Sequence, residues 1–275
     1  MKIINIIEDS SVNDNLIAEH GLCFYIETEK HKLLIDTGAS EATWKNASNL
    51  GIDLKAIDTV ILSHGHYDHT GGVMSFVQKN SNAIIYIHKN AIYDYYNTKT
   101  GTEKYIGIDK SILNLNQLQL IESDLRIDNE ISVFTGVTER INWPQSNLTL
   151  KRKIDGKLVQ DNFSHEQYAV INSGNKSVLI SGCAHNGIIN ILNRFKSIYG
   201  KDPDMVISGF HTNKATEFNP QDIAVIESIA DKLSSMNTIF YTGHCTGEAA
   251  YKILANRMTN LYQIHSGLTI TLGSQ

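Results

Sequence analysis

The sequence predicts an α+β fold, in which short buried strands end in polar loops that lead into helices. This arrangement occurs three times, at residues 59–77, 177–199 and 238–258. In each case a short apolar or β-branched run is followed by a loop that contains glycine and histidine, and then by a helical pattern. Apolar residues make up 41% of the 275 residues, which is enough for a substantial core.

The remaining elements follow from the periodicity of apolar residues and from turn residues between them. The predicted strands are 2–7, 22–27, 32–35, 59–62, 83–88, 168–172, 177–180, 205–208, 238–242 and 268–272. The predicted helices are 42–50, 73–78, 188–199, 220–233 and 248–258. Residues 89–165 are the least regular part, yet their clustered tyrosines and the leucines near residue 115 indicate that they are ordered. His165 is predicted to be a hairpin-edge residue and not a ligand.

Three histidines and one aspartate lie within six residues, directly after the predicted strand at 59–62: His64, His66, Asp68 and His69. The carboxyl end of a strand is the usual ligand position in such sheets. Imidazole is the commonest metal ligand, and a carboxylate beside it suits Zn²⁺, Fe or Mn²⁺. In an extended segment His64 and His66 point the same way, and Gly65 helps the chain turn. This spacing allows His64 and His66 to bind one ion, and Asp68 and His69 a second.

The pattern His64-x-His66-x-Asp68-His69 resembles the signature of the metallo-β-lactamase superfamily. The resemblance implies a four-layer αββα sandwich, formed by residues 1–275 as one domain with a substrate-covering insert at about 89–165. It also implies two divalent metal ions, most often Zn²⁺ with Mn²⁺ or Fe as alternatives, that activate water. The segments 19–22, 181–188, 209–211 and 243–247 are similar to the 7,8-dihydropterin-6-methyl-4-(β-D-ribofuranosyl)-aminobenzene-5'-phosphate synthase-like branch.

The same resemblance assigns roles to later residues. It implies that His185 completes the first metal site and that His244 completes the second. It implies that Asp36 accepts a hydrogen bond from a ligand histidine, although a plain turn residue is the alternative. Many members have a metal-bridging aspartate where this chain has His211, and a neutral imidazole has only one free lone pair. His211 is therefore expected either to bind one metal or to act on the substrate as an acid or hydrogen-bond donor. Asp68 is expected also to take or relay a proton.

Other candidates have two interpretations each. His20 either borders the metal cleft or lies in an ordinary loop. Cys183 and Cys245 could bind Zn²⁺, but Cys183, two residues before His185, is expected to face the core. Thr246 lies at a helix start whose N–H groups could hold an anion. His265 is a candidate substrate contact, because several superfamily branches have a late histidine there.

Composition restricts the partners. The net charge is −5, and no basic block is longer than residues 151–153, which argues against a nucleic-acid-binding surface. Lys104 and residues 151–153 are either candidates for an anionic group or simply solvated. No apolar stretch approaches the ~20 residues of a membrane span. The apolar run at residues 3–7 is too short for a signal peptide, and the chain has three cysteines, so a reduced cytoplasmic location is expected.

The predicted function is that of a metal-dependent hydrolase. Its substrate is expected to be a small anionic molecule, phosphorylated or pterin-like, with an ester, phosphodiester or similar bond. A synthase-like transferase and a non-catalytic metal-bound sensor are the alternatives, because the same scaffold supports several functions. A di-iron redox protein is disfavoured, since position 66 is His where such members have a carboxylate. No oligomeric state is predicted.

Overall fold

The computed structural model describes residues 1–214 and 216–273. Strands in this part of the chain are β1 (Lys2–Ile7), β2 (Cys23–Glu27), β3 (Lys32–Ile35), β4 (Thr59–Ile61), β5 (Ile84–His88), β6 (Asp94–Asn97), β7 (Lys104–Tyr105), β8 (Leu118–Ile121), β9 (Leu125–Arg126), β10 (Ile131–Phe134), β11 (Leu150–Ile154), β12 (Lys157–Gln160), β13 (Tyr168–Ser173), β14 (Lys176–Ile180), β15 (Met205–Ile207), β16 (Ile239–Thr242), β17 (Leu261–Gln263) and β18 (Thr269–Thr271). The helices are α1 (Ala42–Asn49), α2 (Tyr67–Thr70), α3 (Val73–Val77), α4 (Ile188–Tyr199), α5 (Pro220–Ser234) and α6 (Glu248–Ala255).

Two seven-stranded sheets have the orders β18-β1-β2-β3-β4-β5-β8 and β17-β16-β15-β14-β13-β10-β9. Each combines antiparallel hairpins with a parallel run, from β3 to β8 in the first and from β14 to β17 in the second. α-Helices form the crossovers between the parallel strands, except between β5 and β8, where the chain passes through β6 and β7. The two halves of the chain are therefore built alike, and the parallel strands of each sheet end at one edge.

Alternation along the strands creates three apolar layers. In β2, Phe24 and Ile26 pack into a core between the two sheets, whereas Cys23 and Tyr25 face a separate core. That second core includes side chains of α1 and α3, and a third core joins the other sheet to α4, α5 and α6. The layers are thus helix, sheet, sheet and helix, which confirms the predicted α+β sandwich.

The predicted elements are present, with shifts of a few residues at their ends. α6 is shorter than predicted. The short α2 lies inside the loop at residues 63–70, here called the histidine loop, and was not predicted. α5 begins at a capping box in which Asn219 and Asp222 each bond the other's backbone N–H, consistent with a Pro at the first position. In the described residues, no helix has the length and apolar character needed to cross a membrane.

The segment 89–165 differs from the single insert that the sequence predicted. β6, β7, β11 and β12 form a small separate sheet, but β8, β9 and β10 join the edges of the two large sheets. The strands β8 and β9 are short, partly exposed and lie at sheet edges, and β10 has only four residues, so their pattern alone did not distinguish them from an irregular segment. Only the small sheet and its flanking turns are positioned to cover a site.

Candidate metal centre

The histidine loop follows β4 and is pressed against the rest of the fold at Gly65. A Cβ at Gly65 would lie 2.6 Å from the carbonyl oxygen of Ala91, so only glycine fits. The Gly65 N–H donates to His165 Nδ1 over 3.0 Å. His66 then has extended dihedral angles and begins α2, which carries Asp68 and His69. The loop is therefore held rigidly by a close backbone approach, whereas the sequence had suggested only that Gly65 eases a turn.

Loops from other strand ends bring the distant residues to the same place. Cys183 and His185 follow β14, His211 follows β15, and His244 follows β16. Ala184, His211 and His244 adopt left-handed backbone conformations, with φ of 51°, 50° and 49°. Such conformations cost about 1 kcal/mol or more in non-glycine residues and cluster at functional sites. The four loops meet at the carboxyl ends of the parallel strands, the position expected for a ligand site.

The predicted ligands lie in two groups that share one side chain. Asp68, His69 and His244 form one group with Cys183, and their ligand atoms lie within 4.8 Å of one another. His64 and His185 form a second group, again with Cys183. The ring of His66 lies 4.6 Å from that of His64 and 4.9 Å from that of His185. All six predicted ligands are therefore brought together.

Each of four imidazoles is held at Nδ1, which leaves Nε2 to face the centre. The pairs are His64 with Ser63 Oγ at 2.9 Å, His69 with Asp36 Oδ2 at 2.6 Å, His185 with Asn147 Oδ1 at 2.9 Å, and His244 with Asp9 Oδ1 at 2.6 Å. Among the residues that the structure describes, Nε2 of His64, His66, His185 and His244 is buried without a hydrogen-bond partner. Buried polar atoms without partners are rare, and a held Nδ1 with a free Nε2 is the arrangement that metal-ligating histidines adopt. The residues present therefore fit a metal ion.

Electrostatics also suits metal binding. Burial and the neighbouring imidazoles lower the pKa of His64 and His185, and they bring the pKa of His66 to about 3. These rings are thus neutral and keep a lone pair for a metal. Burial disfavours the charged form of Asp68, but His69 and His244 hold the pKa of this carboxyl well below its usual value. The site consequently offers neutral imidazoles and one carboxylate.

Asp36 makes the bond to a ligand histidine that the resemblance implied. Its carboxylate accepts hydrogen bonds from Ser63 N at 2.6 Å, from Ser63 Oγ at 2.8 Å and from His69 Nδ1 at 2.6 Å. Its φ of 61° also makes it a turn residue. Because the Ser63 hydroxyl donates its proton to Asp36, its oxygen accepts a hydrogen bond from His64 Nδ1. The Asp36 carboxylate therefore orients His69 directly and His64 through Ser63, one histidine in each group.

Three other expectations from the sequence, for Cys183, Thr246 and His265, need correction. Cys183 does not face the core: its Sγ lies 3.2 Å from His69 Nε2, because β14 ends at Ile180 and strand alternation no longer applies. Thr246 is not free for a substrate, since its Oγ1 accepts from Phe210 N and contacts Thr242 Oγ1. His265 contacts the carbonyl of Ser266 through Nδ1 and is not among the described residues that line the cavity.

His165 is not a hairpin-edge residue. It is fully buried, with Nδ1 bound to Gly65 N and Nε2 3.0 Å from Asp161. His66, Asp161 and His165 form a further group of potential ligand atoms within 4.8 Å. The residue precedes β13 instead of lying within the hairpin, so the hairpin pattern did not indicate its packing.

Sequence reasoning missed the residues that hold the ligands from other parts of the chain. Asp9 and Asn147 bind Nδ1 of His244 and His185. Glu166 accepts the backbone N–H of His185 at 2.6 Å. The one available signal for Asp9 was the pair of acidic residues, Glu8 and Asp9, that follows the apolar β1, and none existed for Asn147.

Removing either of two supporting side chains is expected to weaken one metal position selectively. Asn147→Ala leaves His185 free to rotate, and Asp9→Ala does the same for His244. We expect each to lower metal affinity about 10–100-fold, the usual effect of losing such a partner. Metal titration of the purified variants checks this, with Asn129→Ala at an exposed turn as the control. Unchanged affinity for both ions in both variants would contradict the assignment.

The groups lie at the floor of a cavity of about 220 Å³. The lining residues are His20, His66, Tyr67, Asp68, Asn97, Lys99, Lys104, Ile106, Ser146, Thr149, Leu150, Cys183, His185, His211, Asn213 and Cys245. His20 borders the cleft, with its ring stacked on that of His244 at 4.7 Å and Nε2 3.4 Å from Asp68 Oδ2. His211 Nδ1 is buried and unpaired beside His185. The small sheet supplies one wall, through Asn97, Lys104 and Leu150.

Comparisons with known proteins give relatives over the whole chain. An uncharacterised protein of Methanocaldococcus jannaschii is 28% identical, covering 98% of this chain and 99% of its own. The 7,8-dihydropterin-6-methyl-4-(beta-D-ribofuranosyl)-aminobenzene-5'-phosphate synthase of the same organism is 29% identical, covering 98% and 96%. The structure of Tm1679, a metal-dependent hydrolase of the beta-lactamase superfamily, matches with a TM-score of 0.83 at 28% identity, covering both chains fully.

Two further findings concern the fold and the family. YhfI of Bacillus subtilis, a metallo-beta-lactamase fold protein, matches 98% of this chain and 99% of its own with a TM-score of 0.56 at 14% identity, which bears on the fold alone. A family model for the metallo-beta-lactamase superfamily matches residues 16–145, which contain the histidine loop. Together with the αββα layers and the whole-length relatives, this match shows that the chain has the metallo-β-lactamase fold and is similar to members of that superfamily.

Proposed function

We propose that this protein is a metal-dependent hydrolase with two divalent ions, of which Zn²⁺ is the preferred one. It hydrolyses an ester, phosphodiester or similar bond of a small anionic molecule. The observation that carries the proposal is the set of buried, unpaired Nε2 atoms of His64, His66, His185 and His244 around the Asp68 carboxylate. The hydrolase named among the similar structures supports the reaction class.

When bound, two divalent ions polarise the bond under attack and lower the pKa of water to about 7 in favourable sites. The chain's own residues orient and exchange protons around that reaction. Asp68 Oδ2 lies 3.4 Å from Nε2 of both His20 and His244, so it is positioned to take a proton and pass it to His20. His20 is more than half exposed in its side chain and contacts Asp9, which connects the site to solvent. His211 faces the cavity as a hydrogen-bond donor for the substrate or its leaving group.

The cavity wall supports an anionic substrate. Lys99 and Lys104 line it, and in the described part of the chain neither ammonium has a carboxylate within ion-pair distance. Lys104 lies over the ring of Tyr67 at 5.4 Å. Asp68, the carboxylate in the lining, lies at the floor beside its histidines. Cations at the wall and a metal-binding floor favour a molecule with an anionic group several bonds away from the bond that breaks.

Substituting the two wall lysines is expected to weaken substrate binding and leave the chemical step unchanged. We expect Lys99→Ala and Lys104→Ala each to raise KM for an anionic substrate about two- to fivefold, since an exposed charge contact contributes roughly 0.2–1 kcal/mol. The effect should shrink at high salt and be absent for a neutral analogue. Lys89→Ala, where the lysine pairs with Glu122, is the matched control. Equal KM values for anionic and neutral substrates in all variants would contradict the role.

The reaction class is tested by metal analysis together with a substrate panel. Wild-type protein reconstituted with Zn²⁺, Mn²⁺ or Fe²⁺ is assayed on carboxylic esters, lactones, thioesters and phosphodiesters, beside His66→Ala. We expect turnover of at least one class that is lost in His66→Ala. Protein without bound metal in all three reconstitutions would count against the proposal, and metal-loaded protein inactive on the whole panel would favour a sensor.

A second candidate is a synthase-like transferase. The specific observation in its favour is the 29% identity over nearly the whole length to the dihydropterin phosphate synthase of M. jannaschii. Such a reaction would use the same metal-binding floor and the same cationic wall for a pterin or phosphorylated substrate. Product analysis with a pterin-methyl diphosphate and an aminobenzene ribosyl phosphate acceptor distinguishes it, because a transferase joins the two molecules with release of diphosphate and a hydrolase transfers the pterin-methyl or phosphoryl group only to water.

A further inference from the structure

One side chain, Cys183, belongs to three of the five groups of potential ligands in the described residues. It lies with Asp68, His69 and His244, with His64 and His185, and with His211 and Cys245. Its Sγ is 3.2 Å from His69 Nε2, and the residue is 3% exposed. A sulfur atom at this position reaches the ligands of both proposed metal ions at once.

Charge balance favours a second protein anion in this place. Two dications carry four positive charges, yet Asp68 is the one carboxylate in the two groups among the described residues. His211 cannot share two ions, because a neutral imidazole has a single free lone pair. Unbalanced charge in a buried site is costly. A thiolate adds a negative charge and has several lone pairs, and Zn²⁺ binds thiolate sulfur well.

Local backbone geometry supports the same position for Cys183. The following residue, Ala184, has a φ of 51°, which turns the chain directly after the cysteine. The backbone N–H of His185 is held by Glu166, so the turn is fixed from both sides. A turn of this kind costs free energy, and its result is that Sγ and the His185 ring both face the cavity floor.

The neighbouring Cys245 is less suitable. Its Sγ points back to the carbonyl of Cys183 over 3.5 Å and packs against Gly209, where a Cβ would lie only 2.4 Å from the sulfur. It belongs to neither of the two predicted ligand groups. Cys245 is therefore a buried thiol in the same cavity that can serve as a matched control.

We propose that Cys183 is a thiolate ligand shared by the two metal positions, where it supplies the anion that joins them. The thiol proton leaves to solvent when metal binds, because a coordinating thiol is deprotonated. The inference rests on the proposed metal centre and deepens it. It implies a centre with a softer donor set than one built from nitrogen and oxygen alone, which favours Zn²⁺ over Mn²⁺.

The test uses cobalt(II), a spectroscopic substitute for zinc. Chelator-treated wild-type protein is titrated with Co²⁺. The variants Cys183→Ser, Cys183→Ala, Cys245→Ser and Cys23→Ala are treated in the same way. For each protein, the near-ultraviolet thiolate-to-cobalt absorption and the number of bound cobalt ions are measured. Cys23 is a buried thiol in the outer core, so Cys23→Ala controls for loss of a cysteine elsewhere. Circular dichroism of each apoprotein checks that the variant is folded.

We expect the absorption in wild type, Cys245→Ser and Cys23→Ala, and its loss in both Cys183 variants, with cobalt affinity lowered about 100-fold or more. Absorption that persists in folded Cys183→Ser, or that disappears only in Cys245→Ser, overturns the inference while leaving the metal centre intact. Full cobalt uptake by wild type without the thiolate-to-cobalt absorption also overturns the inference and leaves the metal centre intact. No cobalt uptake by any protein overturns the proposed function and this inference together.

Discussion

Asp68→Asn is expected to lower turnover by about 10³-fold and to reduce the bound metal from about two ions towards one. The substitution keeps the shape of the side chain but removes the negative charge from a group that includes His69, His244 and Cys183. It also removes the proposed proton acceptor, and positioned general bases contribute about 10²–10⁴-fold. Mass-spectrometric metal analysis and kcat/KM on the same samples check the two effects separately.

Two controls make this result specific. Asp155→Asn, at an exposed hairpin turn between β11 and β12, should change neither quantity. His211→Ala should lower turnover but keep both metals, because His211 groups with the two cysteines and not with Asp68 or His64. A loss of metal in His211→Ala would make it a ligand. Two full equivalents of metal in an active Asp68→Asn protein would argue against Asp68 as a metal ligand and proton acceptor.

Asp36→Ala is expected to destabilise the metal-free protein by about 3–5 kcal/mol, the usual cost of removing one partner of a buried charged network. Three donors at Ser63 N, Ser63 Oγ and His69 Nδ1 would lose their acceptor in a fully buried place. Alanine also tolerates the φ of 61° poorly. For a chain of this size the melting temperature should fall by roughly 10 °C.

A conservative variant separates stability from metal binding at the same position. Asp36→Asn tolerates the left-handed backbone and keeps one acceptor oxygen, so we expect most of the stability to remain while metal affinity falls about 10–100-fold. Asp109→Ala, which removes an exposed cap from the backbone of Ser111, should cost only about 0.5–2 kcal/mol. If Asp36→Ala were no more destabilising than this control, the buried network would not have the importance assigned to it.

Local sequence patterns were sufficient for most of the fold. The alternation in β1 to β3, the strand–loop–helix units around His64, His185 and His244, and the helix α5 were all predicted within a few residues. These features depend on neighbouring residues only, since periodicity and capping act over one or two turns of chain. The prediction for the weakly patterned segment 89–165 was incomplete for the same reason, because β8 and β10 are specified by pairing with the distant strands β5 and β13.

The sequence by itself determined the chemistry of the metal loop: four potential ligands within six residues leave few other interpretations. What only the tertiary structure decided is how these side chains are held and which distant residues lie beside them. Asp9 reaches His244 across 235 residues, and Cys183 reaches His69 across 114. Such pairings arise when strand ends from both halves of the sandwich meet at one edge, and no periodicity in the chain encodes them. The direction of the Cys183 side chain is likewise set by the left-handed backbone at Ala184, which strand alternation does not predict.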